Sequence, residues 1–404
     1  MLTIELIEKL AGLNRIKIPE PMIHAKGVGA HGIFIPYLSM KDYTKANFLK
    51  DSEKETPVFV RFSKMMGRAG TADTLRDVRG FSVKFFTDEG IYDLMGIHFP
   101  IYFIRQPKKF PALIKALSPN SKTNIREPEK LWHYVANNPE TMHMITWLYS
   151  DRGTIKSYRK LEGYSVHTYI WENNKGESFW IRYHWKPLIG TEEINRQEAE
   201  FLAGFDPDIA SRDLADTFAA GKKVSYEMRV QIIPTSQKTE NEIFLLDPVC
   251  VWPESLVPSI RVGKMILDRG VENFHEEVEK AAFTPSNLVP GIGLSPEPLL
   301  IAMVFACTDS QRYRIGENKT EVNFNKREEP YRTIEIEKEL QSVSNDQLAL
   351  RLQSMNKMEK QRMIDNIVEE LLFIDQEIQK IIVNYFNNVD SETGASLEKS
   401  LDLW

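Results

Sequence analysis

Residues 56–96 read TPVFVRFSKMMGRAGTADTLRDVRGFSVKFFTDEGIYDLMG. Two runs within this stretch, TPVFVRFSK and RGFSVKFFT, are dense in β-branched and aromatic residues, and DEG at 88–90 supplies a turn between strands. Strand texture extends back to residue 27 and forward to residue 94, and IYFIRQ at 101–106 reads as one more strand. Beyond it the period changes. FPALIKAL and PEKLWHYVANNPETMHMITWLYS place apolar residues three and four apart, which predicts helices within 107–150.

Strands return in GYSVHTYIWENNKGESFWIRYHWKP, a hairpin turning near 173–176, and in KVSYEMRVQIIP at 223–234. From Ser295 onward the pattern is helical. Ser295 offers a cap, Pro296 suits a first turn, and Glu297 adds early negative charge. Residues 319–335 are charged and read as a connection. Residues 336–404 form a helical block whose strongest periodic run is KMEKQRMIDNIVEELLFIDQEIQKIIVNYF. These elements predict an α+β chain with a strand-rich core, residues 1–335, and a helical domain, residues 336–404.

With 404 residues, 42% hydrophobic and 27% charged, the chain has the composition of a soluble globular protein. Its net charge of −6 gives no basic excess for nucleic acid or an anionic membrane. The amino terminus, MLTIELIEKLAGLNRIKIPEP, is an amphipathic run broken by charges, read as a short helix and a Pro-bounded arm. No run reaches the ~18 apolar residues of a spanning helix. Two cysteines, Cys250 and Cys307, make neither a disulfide framework nor a zinc ribbon, and free thiols fit a reducing compartment. The expected location is cytoplasmic.

HAKGVGAHG at 24–32 does not complete a dinucleotide fingerprint and reads as a glycine-rich loop. The eight histidines show no metal-binding spacing; His24, in that loop, and His98, at the mouth of a strand, stand out. In AMVFACTDSQRYRIG at 302–316, one helix would put Met303, Cys307 and Arg314 on one face. A buried cysteine is usually inert. The alternative is a thiolate ligand to a soft metal, with arginines holding anionic groups. Haem offers both an iron and two propionates.

The chain resembles the haem catalases over residues 17–400, in family order. IHAKGVGAHG, the long stretch 56–96, LYSDRGT, GYSVHTY, FTPSNLVPGIGLSPEPLL and the C-terminal run from MIDNIVEELL each resemble a family segment. The resemblance implies an antiparallel β-barrel core with haem-binding helices and a C-terminal helical domain, with haem, most readily haem b, between barrel and helix. It implies that His24 is the distal histidine, that Ser63 hydrogen-bonds its ring, and that Arg61 and Arg314 hold propionates. It further implies that Phe110 packs on the macrocycle and that Arg312 belongs to the proximal pattern.

Against the family pattern, the iron-ligating tyrosine is Cys307 and the arginine one turn earlier is Met303. The distal asparagine corresponds to His98, and a further propionate-binding arginine is Pro21. Cys307 is therefore read as a thiolate iron ligand and Cys250 as a core residue. The expected activity is oxidation of a small organic substrate by hydrogen peroxide, an organic hydroperoxide or oxygen, with weak catalase turnover. His24 acts as acid–base catalyst, and His98 as a second imidazole above the iron. Alternatives are a dehydratase or isomerase of a hydroperoxide or N–O substrate, a weak catalase, and a haem-free relative. Ile23, where allene oxide synthases of this fold have threonine, disfavours that activity. Family members are usually tetramers laced by an N-terminal arm; only 23 residues precede His24, so a homodimer or a tetramer is expected.

Overall fold

A computed structural model describes residues 18–236, 242–315 and 334–402, together with residues 4, 8 and 9. Residues 319–333 of the expected connection and most of the expected N-terminal helix lie outside the described residues, while 334 and 335 already belong to a helix.

Ten strands build one antiparallel sheet: β1 (Gly27–Pro36), β2 (Thr56–Lys64), β3 (Arg79–Thr87), β4 (Gly90–Leu94), β5 (Gly163–Tyr164), β6 (Tyr169–Glu172), β7 (Ser178–Pro187), β8 (Val224–Pro234), β9 (Ile260–Gly270) and β10 (Ile292–Leu294). Their order is β10-β6-β7-β8-β9-β1-β2-β3-β4, with β5 paired to β7. The sheet curls on itself. Ile97 pairs with Gly80 on β3 and with Tyr164 on β5, so one residue bridges strands from distant parts of the sheet order. The deciding stretch forms β2 to β4 with Ser63 opposite Gly80, Phe62 opposite Phe81 and Arg61 opposite Ser82.

Alternation along these strands separates two cores. Phe62, Phe81, Phe85, Trp185 and Tyr226 point into the barrel and pack edge-on or stacked. Outside the wall, a second apolar cluster joins Val78, Ile97, Phe99 and Leu299 to the helices. Those are α1 (Phe110–Leu117), α2 (Pro128–Asn137), α3 (Met142–Tyr149), α4 (Arg196–Phe205), α5 (Ile209–Ala219), α6 (Glu242–Leu245), α7 (Pro298–Ile315), α8 (Ile334–Ser354), α9 (Lys357–Leu371), α10 (Gln376–Val389) and α11 (Ser391–Leu401). The outer cluster also contains Leu348, Ile367, Ile382, Phe386 and Leu397, so the C-terminal helices share a core with the outer wall. No helix among the described residues is long and apolar enough to cross a membrane.

Three sequence expectations differ from the structure. Residues 101–106 are buried but irregular rather than a strand; continuous burial selects apolar residues in either state. The glycine-rich segment expected as a loop is β1 from Gly27. Its glycines admit close neighbours: a Cβ at Gly29 would lie 2.6 Å from the Phe59 ring. Helix α7 begins at Pro298, not at Ser295, because the buried Glu297 is committed elsewhere.

Candidate active site

The site is built on the outer face of β1 to β3. Period-two alternation turns Arg61 and Ser63 outward while Phe62 enters the barrel. His24, just before β1, adopts a left-handed φ of 62°, unusual for a residue with a side chain. Its backbone is held at both ends: the N–H donates to Met65 O at 3.2 Å, and the carbonyl accepts from Arg61 Nη2 at 3.0 Å. The ring Nδ1 meets Ser63 Oγ at 2.9 Å. Gly80 makes this possible, because a Cβ there would lie 2.3 Å from Ser63 Oγ and 2.8 Å from His24 Nδ1. Burial, and then the charge of Arg61, push the His24 pKa from 6.5 to about 3, so the imidazole is neutral.

Helix α7 supplies the opposing groups. Met303, Cys307 and Arg314 follow at spacings of four and seven, and all three retain some accessible surface. Arg314 donates from Nε to Pro19 O at 3.0 Å and from Nη2 to Glu279 O at 2.8 Å. Arg61 donates from Nε to Val278 O at 3.3 Å. Burial, and then the like charge of Arg314, lower the Arg61 pKa to about 10. Two cations that repel one another make a place for an anion. Burial, and then the Asp93 carboxylate, push the Cys307 thiol up to about 12. Phe110, the first residue of α1, is half-buried against the outer core, as is Ile23.

His24, Arg61 and Cys307 lie deep enough for burial to dominate their proton equilibria, yet each keeps accessible surface. An imidazole, a thiol, a repelling guanidinium pair and an aromatic ring are the kinds of group that would hold a planar iron cofactor with two carboxylates.

Two expected site residues lie elsewhere. His98 is 2% exposed, and both of its nitrogens are used: Nδ1 accepts the Arg79 N–H at 2.9 Å, and Nε2 donates to Arg152 O at 3.0 Å. Burial, then the Arg79 charge, holds its pKa well below the usual histidine value. No lone pair or N–H remains for an iron or a peroxide, so the expected second imidazole is a wall residue. Arg312 is exposed; five residues past Cys307 it is turned ~140° around the helix from that face.

Sequence reasoning missed the pin at the start of α7. Glu297, fully buried, accepts from His167 Nδ1 at 2.5 Å and from the Thr168 N–H at 3.0 Å. His167 sits in a segment that reads only as strand, and Glu297 reads as a favourable helix-start charge, so no spacing links them.

Comparison with known proteins gives a consistent picture. The family profile "Catalase" matches residues 1–358, and "Catalase-related immune-responsive" matches residues 347–401. A catalase of Methanosarcina barkeri is 44% identical over 318 residues, which is 79% of this chain and 63% of that protein. Catalase-2 of Bacillus subtilis is 44% identical over 313 residues, 76% of this chain and 46% of that one. A bromoperoxidase-catalase of Streptomyces venezuelae is 40% identical over 80% of this chain. The alignments thus span between 46% and 66% of the length of these curated relatives. Solved structures of a fungal and a bacterial catalase superpose with TM-scores of 0.90 and 0.91, each at 30% identity over 99% of this chain and 92% and 90% of theirs.

Proposed function

This chain belongs to the catalase family, whose cofactor is haem, and from that premise we propose that it is a haem-thiolate oxidoreductase. In this reading it uses hydrogen peroxide or an organic hydroperoxide to oxidise a small organic substrate. The observation that carries the proposal is Cys307, partly buried on α7 one turn after Met303, at the position where the family pattern has a tyrosine. The name of the Streptomyces relative, which joins a peroxidase to a catalase, supports such use of the fold.

Arg61 and Arg314 would hold the propionates of haem b and Phe110 would pack beside it; when bound, the group would supply iron and two-electron redox chemistry. Cys307, a thiol in the free protein, would give up its proton to ligate the iron, and a thiolate there would favour O–O cleavage. His24 is neutral above about pH 3. With Nδ1–H donating to Ser63 Oγ, Nε2 is free to take the hydroperoxide proton and return it to the departing oxygen. The balance is ROOH + S–H → ROH + S–OH, in which the hydroperoxide is reduced and the substrate oxidised by two electrons. A cytoplasmic homo-oligomer is the setting that best fits two free thiols and this family.

The test is a spectrum. Reconstituted with haem, the ferrous–CO complex should show the long-wavelength Soret band of thiolate ligation, and Cys307→Ala should lose it. A band unchanged by Cys307→Ala, or protein that stays colourless, overturns the proposal.

A further inference from the structure

We propose that Ile97 is the specificity-determining residue of the distal wall, and that it selects hydroperoxides carrying an apolar alkyl or aralkyl group over hydrogen peroxide. The inference rests on the proposed peroxide chemistry and names its substrate class.

The argument begins in the backbone. Gly80 and Ile97 are direct partners in an antiparallel bridge. Directly paired residues point to the same face of a sheet. The face at Gly80 is known, because a side-chain carbon there would run into Ser63 Oγ and His24 Nδ1. The Ile97 side chain therefore stands on the His24 side of the wall. The next residue, His98, faces the other way, as its bonds to Arg79 and Arg152 require. A shift of one residue moves the distal position from an imidazole to a hydrocarbon.

Ile97 is 7% exposed and belongs to the outer apolar cluster against which Ile23, the neighbour of His24, also packs. Ile97, on the His24 side of the wall, and Ile23, the chain neighbour of His24, thus belong to one apolar surface. Hydrogen peroxide carries a hydrogen on each oxygen, and Ile97 offers neither donor nor acceptor to the second O–H. Burying an unpaired hydroxyl is unfavourable. An organic hydroperoxide replaces that hydroxyl hydrogen with carbon, which packs against Ile97 without a partner.

Two ligands of ferric haem read this wall without turnover. Binding of imidazole and of 4-phenylimidazole is measured by spectral titration of the holoprotein and of Ile97→Asn and Ile97→Ala. The wild type should prefer 4-phenylimidazole, and that preference should fall about tenfold in Ile97→Asn. In parallel, the ratio of kcat/KM for cumene hydroperoxide to that for hydrogen peroxide should fall about tenfold. If Ile97→Asn does not load haem, Ile97→Ala decides through the same ratios, with a smaller expected fall. Ratios unchanged within twofold in the variants that load haem overturn the role of Ile97. The Soret band of the ferrous–CO complex, recorded on the same samples, reports separately on thiolate ligation.

Discussion

The Asp93 carboxylate acts on the Cys307 thiol with the sign that opposes ionisation, adding to the effect of burial. Asp93 is itself fully buried, bonded to Lys84 Nζ at 2.6 Å and to the Thr284 N–H at 3.0 Å, so its charge is fixed in place. The free protein consequently keeps its candidate ligand protonated at neutral pH.

Haem binding should therefore release a proton from Cys307. Calorimetry at pH 7.5 in buffers of different ionisation enthalpy should find about one more proton released per haem in the wild type than in Cys307→Ala. Equal release in the two proteins would mean that the thiol never ionises.

The two arginines near the end of α7 should behave differently. Arg314 pairs with Arg61, whereas Arg312 is turned to solvent. Arg314→Leu should weaken haem retention about tenfold, measured by transfer to apomyoglobin, and Arg312→Leu should change it less than twofold.

His98→Asn should act on stability rather than on peroxide chemistry. The shorter side chain cannot span from the Arg79 N–H to Arg152 O, and an unsatisfied buried group costs about 1–3 kcal/mol. The unfolding midpoint should drop while oxygen evolution from peroxide stays at the wild-type level.

Acid should destabilise the fold before the bulk of the carboxylates titrate. His24 and His143 are held near pKa 3 by burial, and His98 is also well below its ordinary value. The unfolded chain takes up these protons near pH 6.5 and the folded chain does not, so stability falls as pH drops from 6.5 toward 3. Urea midpoints at pH 7.5 and 4.5 should differ accordingly, and His143→Gln should flatten the slope.

Strands β2 and β3 were legible because alternation and aromatic density are local properties, and His24, Ser63 and Arg61 come together through the register of those strands. Where the chain has no regular period, reading it in one dimension failed. Residues 101–106 are buried without a ladder, and the pairing of Ile97, rather than His98, with Gly80 is visible only in the bridge between them. The Glu297–His167 pair spans 130 positions, and nothing local in either segment signals it.

Elsewhere the sheet is joined by long ladders, nine paired positions between β7 and β8 for instance, whereas β3 and β5 are bridged through Ile97. The Ile97 N–H donates to Tyr164 O at 3.0 Å, and the Tyr164 N–H to Ile97 O at 2.7 Å. A joint of two bonds opens at a lower free energy than a ladder of many, so amide exchange at Ile97 and Tyr164 precedes that of the neighbouring strands. The other side of Ile97 stays on β3, where the Phe81 N–H donates to Gly96 O at 2.8 Å and the His98 N–H to Arg79 O at 2.9 Å, so such an opening parts β5 from β3 while leaving Ile97 beside Gly80.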